Sequence, residues 1–277
     1  MIRLALGLTV LLTTVASVPA GAQGVLVAPH AVIVDPRTRT GWVQLHNTGV
    51  EPTEVTIETF FGYPVTDSAG GLMLRTIDQP DSAFPSAAAW IRAFPRRMTI
   101  PAQGRQTVRL MVTPPPGTPD GEYWARIAIT STSAAAPAAP QDSTAISVGL
   151  NLQIRTVIAL LYRRGAVTTA LRLSGSRAAV EGDSLVVRMK LERLGQAAWI
   201  GNVRGVLRSR TGAEVRRFEA ALGTYYALEP RFTMPVAGLP PGQYSLHLEA
   251  ATDRTDLPPE QLLAAPTVRD SVRVILR

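Results

Sequence analysis

Residues 145–164 read AISVGLNLQIRTVIALLYRR and constrain the fold more than any other stretch. Ile146, Val148, Leu150, Leu152, Ile154, Ile158, Leu160 and Tyr162 share one parity, with Ser147, Gly149, Asn151, Gln153 and Arg155 between them. A helix would scatter these side chains around its circumference, so only a β-strand gathers them on one face. The run is about twice the length of a usual strand. Near its end Val157 and Leu161 make the second parity apolar as well, the pattern of a strand passing from a half-exposed edge into a sandwich core.

The remaining sequence repeats this theme in shorter pieces. Residues 24–34 form an extended segment interrupted by Pro29, which a sheet tolerates at an edge or at a switch between sheets. Residues 41–47, 53–61, 104–113 and 124–130 alternate in the same way, while 63–85 are expected to form a loop with a short strand near 72–74. Residues 132–144 are small and polar, which predicts a mobile loop before the long strand. Residues 165–173 are expected to be the crossing to a second unit. There 184–193, 200–209, 214–218, 231–236, 243–250 and 271–276 alternate between turn signals. Gly121-Glu122-Tyr123 and Gly242-Gln243-Tyr244 each follow prolines and open a strand, as at a sandwich corner where the tyrosine hydroxyl bonds nearby backbone. The expected architecture is therefore all-β: two immunoglobulin-like β-sandwich domains, at 23–164 and 165–277, after a cleaved signal peptide at 1–22.

The signal peptide follows from Arg3, an apolar run and the small residues Ala20, Gly21 and Ala22, which place the mature start at Gln23. No later run is long and apolar enough to predict a membrane span. An exported chain without cysteine must be held by burial alone. The formal net charge is +7, carried almost wholly by arginine, since Lys190 is the only lysine. The arginines are dispersed among apolar residues rather than clustered, which argues for solvated strand faces and against a nucleic-acid partner.

Catalysis finds little support. His30, His46 and His247 lie in separate expected strands without metal-ligand spacing, and no glycine-rich loop precedes a helix, so neither a metal nor another cofactor is expected. Ser174-Gly175-Ser176 lacks the nucleophile-elbow pattern. Glu54, Glu58 and Glu122 could pair as acid and base, but alternating glutamates on strands more often form a solvated face. The chain is expected not to be an enzyme.

Residues 152–164 resemble the last strand of the first domain of periplasmic pilus-assembly chaperones of the PapD type, in which alternating hydrophobics end in an aromatic residue and Arg, here Tyr162 and Arg163. The strand order over 24–61 and the string 100–110, IPAQGRQTVRL, resemble the same family. The resemblance covers roughly residues 25–164; no motif carries it into the second unit. It implies a periplasmic chaperone that binds a β-rich, pilin-like secreted subunit by donating an edge strand, with an outer-membrane usher as a further partner. Leu150, Leu152 and Ile154 stand at the family's donor positions, with Val148 and Ile146 as extensions. The family also grips its client's terminal carboxylate with a basic pair, and the alignment puts Ala31 and Ala159 there instead. Arg155 and Arg163 share the parity of Ala159 and are the candidate basic residues of the cleft. The alternative is a secreted or surface immunoglobulin-like scaffold or adhesion module without donor activity.

Overall fold

The computed structural model describes residues 24–133 and 153–277. The expected signal peptide, most of the 132–144 loop, and Ile146, Val148, Leu150 and Leu152 lie outside the described residues. The strands divide between two sandwiches.

In the first sandwich, β1 (Val25–Ala28), β3 (Thr40–Asn47), β8 (Arg105–Val112) and β6 (Ile91–Phe94) form one sheet, in the order β1-β3-β8-β6. The facing sheet runs β2-β10-β9-β4-β5, from β2 (Ala31–Val34), β10 (Gln153–Arg164), β9 (Gly121–Ser133), β4 (Thr53–Thr66) and β5 (Leu72–Ile77), and β7 (Arg97–Ile100) also pairs with β4. The chain changes sheet at two prolines. Pro29 separates β1 from β2, and Pro95 separates β6 from β7. Lacking an N–H, proline stands where the ladder is interrupted. Between the sheets, Leu45, Val108 and Leu110 meet Ile57, Ile127, Ile158 and Leu160, all buried. Such burial stabilises by roughly 1.5–3 kcal/mol per large aliphatic side chain.

The second sandwich pairs β11 (Thr169–Glu181) with β12 (Ser184–Gly195), whose other edge carries β15 (Ala227–Leu228) and β16 (Arg231–Pro235). Its facing sheet is β14-β13-β17-β18, from β13 (Trp199–Ser209), β14 (Glu214–Thr224), β17 (Gly242–Ala251) and β18 (Val268–Leu276). Leu185, Val187, Leu191, Trp199, Val203 and Leu246 fill the space between them.

Both expected corners are present. Tyr123 donates its hydroxyl hydrogen to the Pro119 carbonyl at 3.0 Å, and Tyr244 donates to that of Pro240 at 2.7 Å.

Two expectations are corrected. Residues 63–66 continue β4 rather than opening a loop, and they pair with β5 as a hairpin whose tip reaches the second sandwich. There Arg231 N donates to Gly70 O at 2.9 Å and Glu229 N to Thr66 Oγ1 at 2.9 Å. Gly70 has φ +88°, and a Cβ there would stand 2.6 Å from that of Arg231, so only glycine fits. The second correction concerns the crossing: it is confined to a few residues after Gly165, because Thr169 already begins β11.

Candidate functional site

β10 has two different halves. Ala159–Tyr162 pair in parallel with Ala31–Val34 on one side and antiparallel with Arg126–Tyr123 on the other. Gln153–Ile158 pair with β9 alone, so among the described residues the second ladder edge of this half is open. Of the residues expected to be donated, Ile154 is described: it is half-buried, at the open half of the strand. An open edge of this kind offers unpaired N–H and C=O groups to a further strand.

The even parity of β10 faces the first core, where Ile158, Leu160 and Tyr162 are buried. The odd parity faces outward at the open half and toward the second sandwich at the other. Val157 is 38% exposed, whereas Leu161 is fully buried. Leu161 does not enter a sandwich core, as its pattern suggested. It joins Ala31, Phe61, Tyr63 and Trp124 in a separate cluster with Ala198, Ile200, Tyr225 and Leu257 of the second sandwich. Ala31 and Ala159, the positions aligned with the family's basic pair, lie directly opposite each other in the β2–β10 register and belong to this apolar seam.

The two candidate arginines part ways. Arg155 is half-exposed on the outer face, 3.7 Å from Glu58 and with its guanidinium 5.2 Å from the Phe60 ring centroid. Arg163 sits in the seam opposite Glu122, donating from Nε to the Glu122 carboxylate at 2.7 Å and from Nη1 to the Gln261 carbonyl. Glu122 is 3% exposed, so it does not belong to a solvated face. Its other oxygen accepts from Trp124 Nε1 at 2.9 Å and from Ala198 N at 2.7 Å. One carboxylate thus joins two strands of the first sandwich to the backbone of the second, with every contact charge-assisted.

Around Trp124 the seam is aromatic. Its ring meets Tyr225 edge-on at 4.8 Å and Tyr226 at 5.3 Å, and the Arg193 guanidinium lies 5.5 Å from both Trp124 and Tyr226. Arg126, which the sequence reading did not single out, lies 4.7 Å over Tyr225. Burial pushes the Tyr225 phenol above its usual pKa, against the pull of Arg126. An arginine alternating with apolar residues looks like any solvated strand position; only the second sandwich covering it makes Arg126 different. Among the described residues no group of His, Asp, Glu or Cys could hold a metal ion, and no helix is long and apolar enough to cross a membrane.

No protein-family model and no curated protein matches this chain. Solved structures do. The chain is similar to the YadV chaperone at 17% identity, covering 90% of this chain and 99% of that one with a TM-score of 0.44. It is similar to a chain of the complex of Salmonella enterica SafA pilin with the SafB chaperone at 13% identity, covering 92% and 97% with a TM-score of 0.42. A third likeness is to the CsuC–CsuE chaperone–tip subunit complex from the archaic chaperone-usher Csu pili of Acinetobacter baumannii, at 15% identity, 74% and 89% coverage and a TM-score of 0.40.

Proposed function

We propose that this protein is an exported, periplasmic chaperone, with domains at 23–164 and 165–277, that holds a β-rich, pilin-type subunit by strand donation. The carrying observation is the half of β10 from Gln153 to Ile158, which among the described residues has a ladder partner on one side only. Continued toward the N-terminus, the same parity would present Ile154, Leu152, Leu150, Val148 and Ile146 to the groove of an incomplete sandwich, while the backbone completes the client's ladder. The work is done by side-chain burial and main-chain hydrogen bonding, so the reading assigns no reaction and no cofactor. An outer-membrane usher would receive the loaded complex.

Purification of the protein from its native periplasm tests this. A small β-rich subunit is expected to come out bound and to be lost on Leu152→Glu, which places a charge in the donated row. Recovery of the same partner with the variant would sink the reading. A second reading, an immunoglobulin-like scaffold without donor activity, is favoured by Ala31 and Ala159, which put methyl groups at the two positions where the resemblance leads one to expect a basic pair. It requires that the purified protein carry no subunit and that Leu152→Glu be silent.

A further inference from the structure

The sheet β1-β3-β8-β6 turns one side to the first core and the other to solvent. Its four strands, VLVA, TGWVQLHN, RQTVRLMV and IRAF, contain no aspartate or glutamate. On the solvent side the register sets Trp42 opposite Arg109 and Arg109 opposite Phe94, a row across three strands. Residues opposite one another share a face, so these three are neighbours. With strands about 4.8 Å apart, the two rings stand roughly 10 Å from each other and Arg109 lies between them. The next row sets Arg92 opposite Met111, and at the far end Arg105 shares a row with His46 and Leu26.

The apolar members of this face are large and uncovered: Phe94 is 75% exposed, Leu26 62% and Trp42 53%. Single exposed apolar residues are ordinary, but here they share one face with cations alone. Among the described residues Arg92, Arg105 and Arg109 enter no ion pair. Arg109 instead holds its guanidinium 5.4 Å from the Trp42 ring centroid. The β14-β13-β17-β18 sheet of the second sandwich shows the contrast. There Arg204 meets Glu219 and Arg269 meets Glu249, each at 2.8 Å, so the arginines are neutralised in place.

The chemistry of the face selects its occupant. A second copy would bring the same uncompensated cations against these. An acidic glycan would engage the rings and the arginines, but it has no use for Leu26 and Met111, which neither stack on a sugar nor pair with its hydroxyls. An acidic phospholipid surface matches every member: phosphates for the arginines, the headgroup level for Trp42, and the acyl boundary for the wholly apolar side chains. We infer that this face is a docking surface for an anionic lipid bilayer, on which the chain lies without spanning it. The surface belongs to the first sheet alone and does not depend on strand donation from β10.

The test mixes the purified exported chain with vesicles of phosphatidylcholine, alone or with added phosphatidylglycerol, and reads cosedimentation. Partition is expected into the anionic vesicles only, weakening as salt is raised. Trp42 is the one exposed tryptophan of four, so brominated acyl chains are expected to quench its fluorescence. Replacing two surface arginines together, Arg92→Gln with Arg109→Gln, is expected to weaken partition about thirtyfold. Leu152→Glu is expected to leave partition unchanged, which separates this face from the donated row. The inference is overturned by equal partition into neutral vesicles, by unquenched fluorescence of the wild-type chain, by an unaffected double variant, or by loss of partition in Leu152→Glu. Binding to a soluble polyuronate with none to vesicles overturns it in favour of an acidic glycan.

Discussion

The two halves of β10 share one strand, one parity rule and one antiparallel neighbour, and differ in what covers them. From Ala159 on, β2 closes the edge and the second sandwich closes the outer face. Before Ala159, among the described residues, neither is there. Apolar residues on both parities are buried in the sealed half, whereas in the open half the odd parity stays exposed even where Val157 is apolar. Function of the strand-donating kind requires the second condition, and rigidity of the two-sandwich frame requires the first.

The comparison can be broken most severely at Glu122. Glu122→Ala removes the acceptor for Arg163, Trp124 and Ala198 at once and leaves a buried guanidinium uncompensated; we expect a loss of about 3–5 kcal/mol in urea unfolding. A loss under 1 kcal/mol would mean that the seam does not depend on this carboxylate. Next come paired truncations. Leu161→Ala at the sealed half should cost about 2–3 kcal/mol, whereas Val157→Ala, four residues earlier on the same parity, should stay within about 0.5 kcal/mol. Equal effects would erase the contrast between the two halves of β10. Arg155→Ala follows, with an expected change of about 0–1 kcal/mol that disappears at high salt, because its pair with Glu58 is half-exposed.

The smallest effect lies in the turn after β2. The backbone N–H of Thr38 holds the Asp35 carboxyl below its ordinary value of 3.8, desolvation opposing and the Arg37 amide assisting. A depressed carboxylate stabilises above its unfolded pKa and loses that contribution as pH falls through the folded one. Asp35→Asn should therefore differ from wild type at neutral pH and converge with it in acid. A gap that widens on acidification would contradict the assignment.

Alternation along β10, the sheet switch at Pro29 and the two tyrosine corners were legible in the sequence, because each is a local demand on backbone or side-chain direction; the switch at Pro95 was not read from it. What the sequence could not show is what lies over a face. Glu122 and Arg126 alternate with apolar neighbours as a solvated row would, and only the arrival of β13 and Tyr225 from a distant part of the chain buries them. Arg163 shares the parity of Ala159, as read, but its guanidinium is already engaged by Glu122. The extension of β4 to Thr66 was hidden by Gly62 and Pro64, residues that usually end strands; here they stand beside β5 in a hairpin whose tip is anchored on β16.

That hairpin joins the sandwiches at a second point besides the covalent crossing at Gly165. The covalent link, the hairpin tip and the apolar cluster around Trp124 and Leu161 together oppose a swing of one sandwich against the other. A chain that settles along this frame must itself become ordered, while its host contributes a surface already shaped and loses little freedom in the encounter.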